Sequence, residues 1–321
     1  MVEVVLALAL LAGLAAPHLY ELRQASPRAA AAVWLLALAL RALVSVGGAA
    51  FFFVYAPRTG VYDAVAQWCW HEALPVVSEL LGFSGHALPH AAVILPAIAL
   101  ALSLLWLGFG LLTGWLALRR LIARAVGEGP LGSTLVSDRR VVVAATGLGR
   151  SRVVVSAGAL SALDERELAA SLAHERGHLC RAHRPLILLG MVLGALARPV
   201  PGTRAAERRL TFHLERDADE YAVRVTRDPL ALASAICKAA TSSPPALASL
   251  GGTGSTTSRV QSLLEQDRSH GNWPLRGPAL ALAMVLTVLI LSLVATLPAW
   301  GLGAVPDAGA VVAETDLCHP H

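Results

Sequence analysis

The sequence predicts a mainly α-helical membrane protein, with four transmembrane helices and an α+β domain inserted between the third and the fourth. Three observations favour this fold class. First, the 321 residues are 55% hydrophobic and only 15% charged, whereas about 25% is usual in soluble domains. Second, long uncharged runs lie on both sides of a central stretch, residues 121–276, that holds 20 of the 26 basic residues. Third, this charged stretch contains β-branched runs that predict strands.

Four predominantly apolar runs have the length of a membrane span. The predicted spans are residues 4–20, 29–55, 91–118 and 278–299. They divide the chain into a three-helix transmembrane region (1–118), a water-facing domain (119–276), a fourth transmembrane helix (277–301) and a short tail (302–321). The first run lacks the basic region of a cleaved signal peptide, so we expect it to be retained.

Arg41 lies within the second predicted span, where a charged side chain is costly. A mid-bilayer arginine costs about 2.5–3.5 kcal/mol on insertion scales. We therefore expect Arg41 to face the helix bundle or to snorkel to the interface, and a functional role for it stays open.

Arginines near the spans predict the orientation of the chain, because basic residues concentrate on the cytoplasmic side. The connector 57–90 contains one arginine. The arginines that flank the first loop and the central domain are Arg23, Arg28, Arg119, Arg120, Arg124, Arg268 and Arg276. This predicts a multi-pass cell-membrane protein with both termini outside and the central domain in the cytoplasm. The lipid bilayer is then a partner, whereas the mixed charge of the central domain argues against nucleic acid.

The first part of the central domain predicts a hairpin followed by a capped helix. Two valine-rich runs around Gly147-Leu148-Gly149-Arg150 predict a β-hairpin over residues 139–156. Asp164 is a good N-cap, and Glu167 three residues later completes a capping box. The helix should continue to about His183. Residues 185–197 are then expected to form a shorter apolar helix that is buried or grazes the membrane.

The capped helix contains H-E-x-x-H, formed by His174, Glu175 and His178. Residues four apart project from one helix face, so both imidazoles can reach one ion while Glu175 lies beside it. A hydrolytic zinc site needs two nitrogen ligands, an adjacent carboxylate base and an open position for water. The motif therefore predicts one zinc ion per chain.

A charged helix predicted over residues 203–226 supplies the remaining groups. Glu215 and Asp219 are again four residues apart, with the small Ala222 on the same side. Glu215 can provide the third protein ligand, and Asp219 can accept a hydrogen bond from the free ring N–H of a ligand histidine. The alternative is a solvated acidic stripe, since Arg216 and Arg224 are nearby.

His174-Glu175-x-x-His178 followed by Glu215-x-x-x-Asp219-x-x-Ala222 resembles the pattern of the membrane-embedded gluzincin peptidases. These include HtpX-type heat-shock proteases, CAAX prenyl proteases and the β-lactam sensor-transducer (antirepressor) peptidases. The resemblance covers about residues 141–264, including segments 153–160 and 258–260. It implies a zincin-like catalytic domain in which His174, His178 and Glu215 bind zinc, Glu175 is the general base and Asp219 orients a ligand.

The distance between the two motifs and the order of the predicted spans most resemble those of the sensor-transducer type. Only 36 residues separate His178 from Glu215, which leaves no room for the pair of spans that HtpX-type enzymes place there. Three spans before the domain and one after it fit the sensor-transducer layout. About 20 residues follow Trp300, so we expect no large extracellular sensor domain.

The resemblance implies an integral-membrane zinc endopeptidase that cleaves protein substrates near the cytoplasmic membrane face in a regulatory role. The alternatives are a quality-control protease of the HtpX type and a catalytically silent pseudoprotease that binds a partner. A sensor partner and a homo-oligomer both stay open. The substrate should add in extended form to the edge of strand 153–155. Candidate oxyanion stabilisers are His213, Tyr221 and Arg224.

Cys69 and Cys318 both lie outside the cell in the predicted topology, and we hypothesise that they form a disulfide between connector and tail. Two free thiols are the alternative. The hypothesis predicts that neither cysteine reacts with an impermeant maleimide on intact cells until a reductant is added. Ready labelling of both without reductant would contradict it.

Overall fold

The computed structural model describes residues 14–15, 17–18, 25–54, 88–146, 152–242 and 253–265. Most of the first predicted span, the fourth span and the short tail lie outside these residues. So do Cys69 and Cys318.

The described residues contain the following elements. The helices are α1 (Pro27–Val54), α2 (Leu88–Ile122), α3 (Ala157–Ala162), α4 (Glu165–Cys180), α5 (His183–Leu196), α6 (Thr203–Thr226), α7 (Pro229–Ser242) and α8 (Thr253–Glu265). The strands are β1 (Ala125–Glu128), β2 (Thr134–Val136), β3 (Val143–Thr146) and β4 (Arg152–Ser156).

Helices α1 and α2 correspond to the second and third predicted spans. Within the described ranges, these two are long and apolar enough to cross a membrane. A third crossing is available if α4 and α5, which meet at 67°, form a broken span. The structure thus supports two or three spans, and four are not confirmed. The apolar part of α2 has no buried residue, whereas more than half of that of α1 is buried inside the protein.

Helix α1 is buried because its first half packs along α6 in the opposite direction. Arg28 contacts Asp217 near one end of the pair, and Arg41 lies beside Gly202 at the other. The core between them includes, from α1 and α6, Trp34, Ala37, Leu38, Leu210 and Leu214. The early part of α1 is therefore a core element of the protein.

Arg41 faces the helix bundle, as expected, and is 1% exposed. Its guanidinium donates to the carbonyl oxygens of Ala37 (3.1 Å) and Leu14 (2.7 Å) and lies 2.9 Å from His18 Nε2. These contacts replace part of the hydration that a charged group loses on burial.

The strands form one sheet in the order β1-β2-β4-β3. The predicted hairpin is confirmed: β3 and β4 pair antiparallel, with Val143 opposite Val155. However, β4 also pairs in parallel with β2, so it lies inside the sheet. The expectation that a substrate adds to residues 153–155 is therefore wrong, because both edges of that strand are occupied. The strand at the edge nearest α4 is β3.

The start of α4 follows the sequence prediction, and its end does not. Glu167 N–H donates to Asp164 Oδ1 at 2.9 Å and Asp164 N–H donates to Glu167 Oε2 at 2.8 Å, which confirms the capping box. The helix ends at Cys180 rather than near His183, because Ala182 takes the left-handed conformation with φ 51°. This turn starts the apolar helix α5, close to the predicted boundaries.

Gly177 allows α4 and α6 to approach closely. A Cβ added there would lie 3.2 Å from Tyr221 Cβ and 3.3 Å from Ala218 Cα. Ala218 Cα belongs to the backbone of α6, so it cannot move aside as a flexible side chain can. The element that passes close to Gly177 is therefore α6.

Replacing Gly177 by valine should force α4 and α6 apart. Overpacking of a filled interface costs about 1–3 kcal/mol, so we expect a lower midpoint of thermal unfolding, measured by circular dichroism in detergent. Gly108→Val on α2 is the matched control, because a Cβ there meets none of the described residues within 4 Å. Equal midpoints for the two variants would contradict the close packing.

Candidate metal centre

Two facing helices bring the H-E-x-x-H histidines and the predicted third ligand together. His174 and His178 lie one turn apart on α4, and Glu215 projects from α6. The two Nε2 atoms are 3.1 Å apart. Glu215 Oε2 lies 3.4 Å from His174 Nε2, and Glu215 Oε1 lies 3.5 Å from His178 Nε2. The histidines are buried and the glutamate is 25% exposed, so the group opens to solvent on the glutamate side.

These distances fit a zinc ion. With zinc–ligand bonds of 2.0–2.1 Å and tetrahedral angles, ligand atoms lie about 3.3 Å from one another. The three donor atoms of His174, His178 and Glu215 all lie within 4.8 Å of each other. Two imidazoles and one carboxylate are also a ligand set of catalytic zinc sites, in which the fourth position stays open. The residues present therefore fit the metal that the motif predicts.

Asp219 and Arg259 surround the ligands with charge. Asp219 Oδ1 lies 2.9 Å from His174 Nδ1. Arg259 of α8 donates to both oxygens of Asp219, at 2.8 and 2.7 Å, and its Nη1 lies 2.9 Å from Glu215 Oε2. Such a two-pronged contact fixes the carboxylate plane and therefore the imidazole that it contacts.

The role of Arg259 was missed at the level of sequence, where it appeared only within the similar segment 258–260. A signal was available: between residues 253 and 264 it is the single charged residue of its helix. No local spacing, however, relates α8 to α6, since the contact with Asp219 joins residues 40 positions apart.

The electrostatics prepare the centre for a cation. Burial lowers the pKa of His174, but hydrogen bonds to Asp219 and Glu215 outweigh it and raise the pKa to about 10. Burial raises the pKa of Glu215 and Asp219, yet His174 and Arg259 hold both pKa values below their usual range. Burial, followed by nearby positive charges, lowers the pKa of His178 to about 4. A cation that binds here displaces the proton of His174.

Glu175, the predicted base, is partly exposed and follows His174 directly on α4. Its carboxylate attracts the guanidinium groups of Arg184 and Arg259. It thus lies at the rim of the centre, on the element that carries two of the ligands.

The contacts described for the three candidate oxyanion stabilisers do not test that role, which stays a prediction. His213 is buried, its Nδ1 has no hydrogen-bond partner among the described residues, and burial lowers its pKa to about 3. Tyr221 packs on Gly177 and places its hydroxyl 3.7 Å from Cys180 Sγ. Arg224 lines a cavity beside Asp217.

Comparison with known proteins supports the peptidase interpretation over part of the chain. Residues 133–200 match Peptidase family M48. The matched segment runs from before β2 to the end of α5 and contains the H-E-x-x-H motif. No curated protein and no solved structure matches the chain. The match supports a metallopeptidase of the M48 type, and the sensor-transducer subfamily is not confirmed.

Replacing Arg259 by glutamine should destabilise the metal-free protein. Removing one partner of a buried ion pair costs about 3–5 kcal/mol, because Asp219 and Glu215 keep their buried charges. The thermal midpoint of unfolding should fall clearly, and saturating zinc should restore part of it by offsetting those charges. Arg166→Gln, which removes an exposed ion pair with Asp228, is the control and should change little. A midpoint unaffected by Arg259→Gln would contradict the role.

Proposed function

We propose that the chain is an integral-membrane, zinc-dependent endopeptidase that hydrolyses peptide bonds of protein substrates near the cytoplasmic membrane face. We further propose a regulatory role, in which a repressor or signalling protein is cut. One observation carries the proposal: two imidazole nitrogens and one carboxylate of α4 and α6 converge within 4.8 Å. The peptidase match over residues 133–200 includes the helix that holds both imidazoles.

The chemistry follows from the donor set and the neighbouring carboxylate. A zinc ion bound by His174, His178 and Glu215 would polarise a carbonyl and lower the pKa of water toward about 7. Glu175 accepts the proton of the attacking water at its carboxylate and returns it to the leaving amine. Asp219, fixed by Arg259, holds the ring of His174 in one orientation.

Strand β3 supplies a surface for an extended substrate. It pairs with β4 on one side, contacts α4 and ends the sheet. Among the described strands its other edge has no partner, so a peptide can pair with the main-chain donors and acceptors there as an added strand. Main-chain pairing demands an extended backbone and little else, which supports an endopeptidase that acts on exposed, extended segments.

The packing of α1 supports action near the membrane. This candidate span contacts α6 along its first half, and its Arg28 reaches Asp217, two residues from the proposed ligand Glu215. The residues proposed to bind zinc therefore belong to the same helix bundle as a candidate membrane helix. A substrate would be cut close to the surface from which α1 enters the bilayer.

Replacing Glu175 by glutamine should abolish cleavage and leave metal binding intact. General-base catalysis contributes about 10²- to 10⁴-fold, so we expect a loss of that order in the cleavage rate of an unfolded protein substrate. The experiment uses the full chain in detergent, with zinc content measured in parallel and expected near one ion per chain. Glu165→Gln, an exposed carboxylate in the first turn of α4, is the matched control and should cleave normally.

Three results are decisive for this proposal. Cleavage that survives Glu175→Gln would refute the mechanism. Wild-type protein that binds no zinc would refute the metal site and would favour the partner-binding pseudoprotease. Zinc binding with a loss confined to Glu175→Gln would support the proposal.

A further inference from the structure

His183, the first residue of α5, lies directly behind the proposed metal ligand His178. It is 2% exposed. His183 Nδ1 lies 3.0 Å from His178 Nδ1, and His183 Nε2 lies 2.9 Å from Asp217 Oδ2. The two imidazole rings meet edge to face, with centroids 5.0 Å apart. His178, His183 and Asp217 therefore form a continuous, buried chain of three side chains.

The position of His178 Nε2 determines which ring nitrogens of His178 and His183 carry a proton. This nitrogen faces His174 Nε2 at 3.1 Å and Glu215 Oε1 at 3.5 Å, so its lone pair points into the centre. A neutral imidazole carries its proton on the other nitrogen, so His178 Nδ1–H donates to His183 Nδ1. His183 then carries its proton on Nε2 and donates it to Asp217. One tautomer of each ring satisfies both contacts.

Asp217 is the carboxylate that accepts the hydrogen bond from His183. Its side chain is 3% exposed. Arg181 donates to Asp217 Oδ1 and, at 2.7 Å, to its backbone oxygen, while Arg28 Nε lies 3.3 Å from Oδ2. With His183, these donors are the partners that a buried carboxylate needs in order to remain ionised.

We propose that His183 and Asp217 are positioning residues for His178, which fix its tautomer and ring orientation so that Nε2 stays directed at a bound zinc ion. This inference rests on the proposed function, because it requires His178 to bind metal. His174, the other proposed histidine ligand, is positioned more directly, since Asp219 contacts its Nδ1 at 2.9 Å. Each ligand histidine is thus held by a carboxylate of α6, one directly and one through an imidazole.

The left-handed turn before α5 makes this arrangement possible. Ala182 has φ 51°, a left-handed conformation that is unfavourable for residues other than glycine. Had α4 continued as a straight helix, residue 183 would follow 178 by five positions and point about 140° away from it. The turn instead returns the His183 ring to His178.

Arg28 connects this chain of side chains to the candidate membrane helix α1. Its side chain is 66% exposed, and its contact with Asp217 is the longest of the set at 3.3 Å. A cavity of about 130 Å³, lined in part by Arg28, Asp217 and Arg224, lies beside the contact. Arg28 of α1 is thus linked to His178 by contacts through the side chains of Asp217 and His183.

The test measures zinc affinity of the full chain in detergent by competition with a chromogenic chelator. His183→Phe keeps a ring but removes both nitrogens, and Asp217→Asn keeps the shape but removes the charge. Each should weaken zinc binding by about 10- to 100-fold, the usual effect of losing a partner of a ligand. His183→Gln, which retains one acceptor and one donor, should recover part of the loss. Glu207→Gln is the matched control. Glu207 is a half-buried carboxylate of α6, as Asp217 is, and it pairs with Arg198, so zinc affinity should stay unchanged.

The zinc affinity of the double variant His183→Phe, Asp217→Asn provides a second test of the same mechanism. Because the two residues act in series on one ligand, the double variant should bind zinc about as weakly as the weaker single variant. Arg28→Gln should weaken binding by less than about fivefold, since its contact is largely exposed.

The outcomes separate this inference from the proposed function. If wild-type protein binds no zinc, the proposed function fails and the inference fails with it. If wild type binds zinc and the His183 and Asp217 variants, folded by circular dichroism, bind within threefold of it, only the inference is overturned. Lower thermal midpoints with unchanged zinc affinity would also overturn it, since they would show a purely structural role. Weaker binding by both variants, with partial rescue by His183→Gln, would support it.

Discussion

The close contact between α4 and α6 is the constraint on which the rest of the structure depends. Gly177 lets the backbone of α6 approach, with Ala218 and Tyr221 against it. At this separation His174 and His178 meet Glu215 across the interface at 3.4 and 3.5 Å. The candidate centre is thus a property of the packing of two helices, and neither helix has it alone.

That packing largely buries three carboxylates of α6, and each of them is paired with histidine and arginine side chains. Glu215 and Asp219 are four residues apart and lie on the same face of α6, whereas Asp217 between them projects toward another side of the helix. Each contacts at least one histidine and one arginine. Unpaired, such carboxylates would cost several kcal/mol each on burial. Paired, they hold the imidazoles in fixed orientations before any cation arrives, which is the preorganisation that a catalytic metal needs.

Much of this was predictable from sequence wherever the signal is local. The capping box at Asp164, the limits of α6 and the i, i+4 pairs depend on neighbours within one or two turns, and the structure has all of them. What sequence missed depends on distant partners. Strand β2 exists because it pairs with β4 about 20 residues later, and Arg259 meets Asp219 across 40 residues. His183 was assigned to the end of one helix because nothing local reveals the left-handed turn at Ala182.

The antiparallel packing of α1 on α6 has a consequence for how the protein is made. Their shared core joins residues that are far apart in the chain, with 148 residues between the end of α1 and the start of α6. On the ribosome, α1 emerges long before its partner exists, so its buried face must remain uncovered, or temporarily covered by lipid, until α6 is synthesised. The candidate centre therefore cannot form until Glu215 of α6 has been synthesised. A nascent chain that has α4 but not yet α6 holds two of the three ligands and lacks the third.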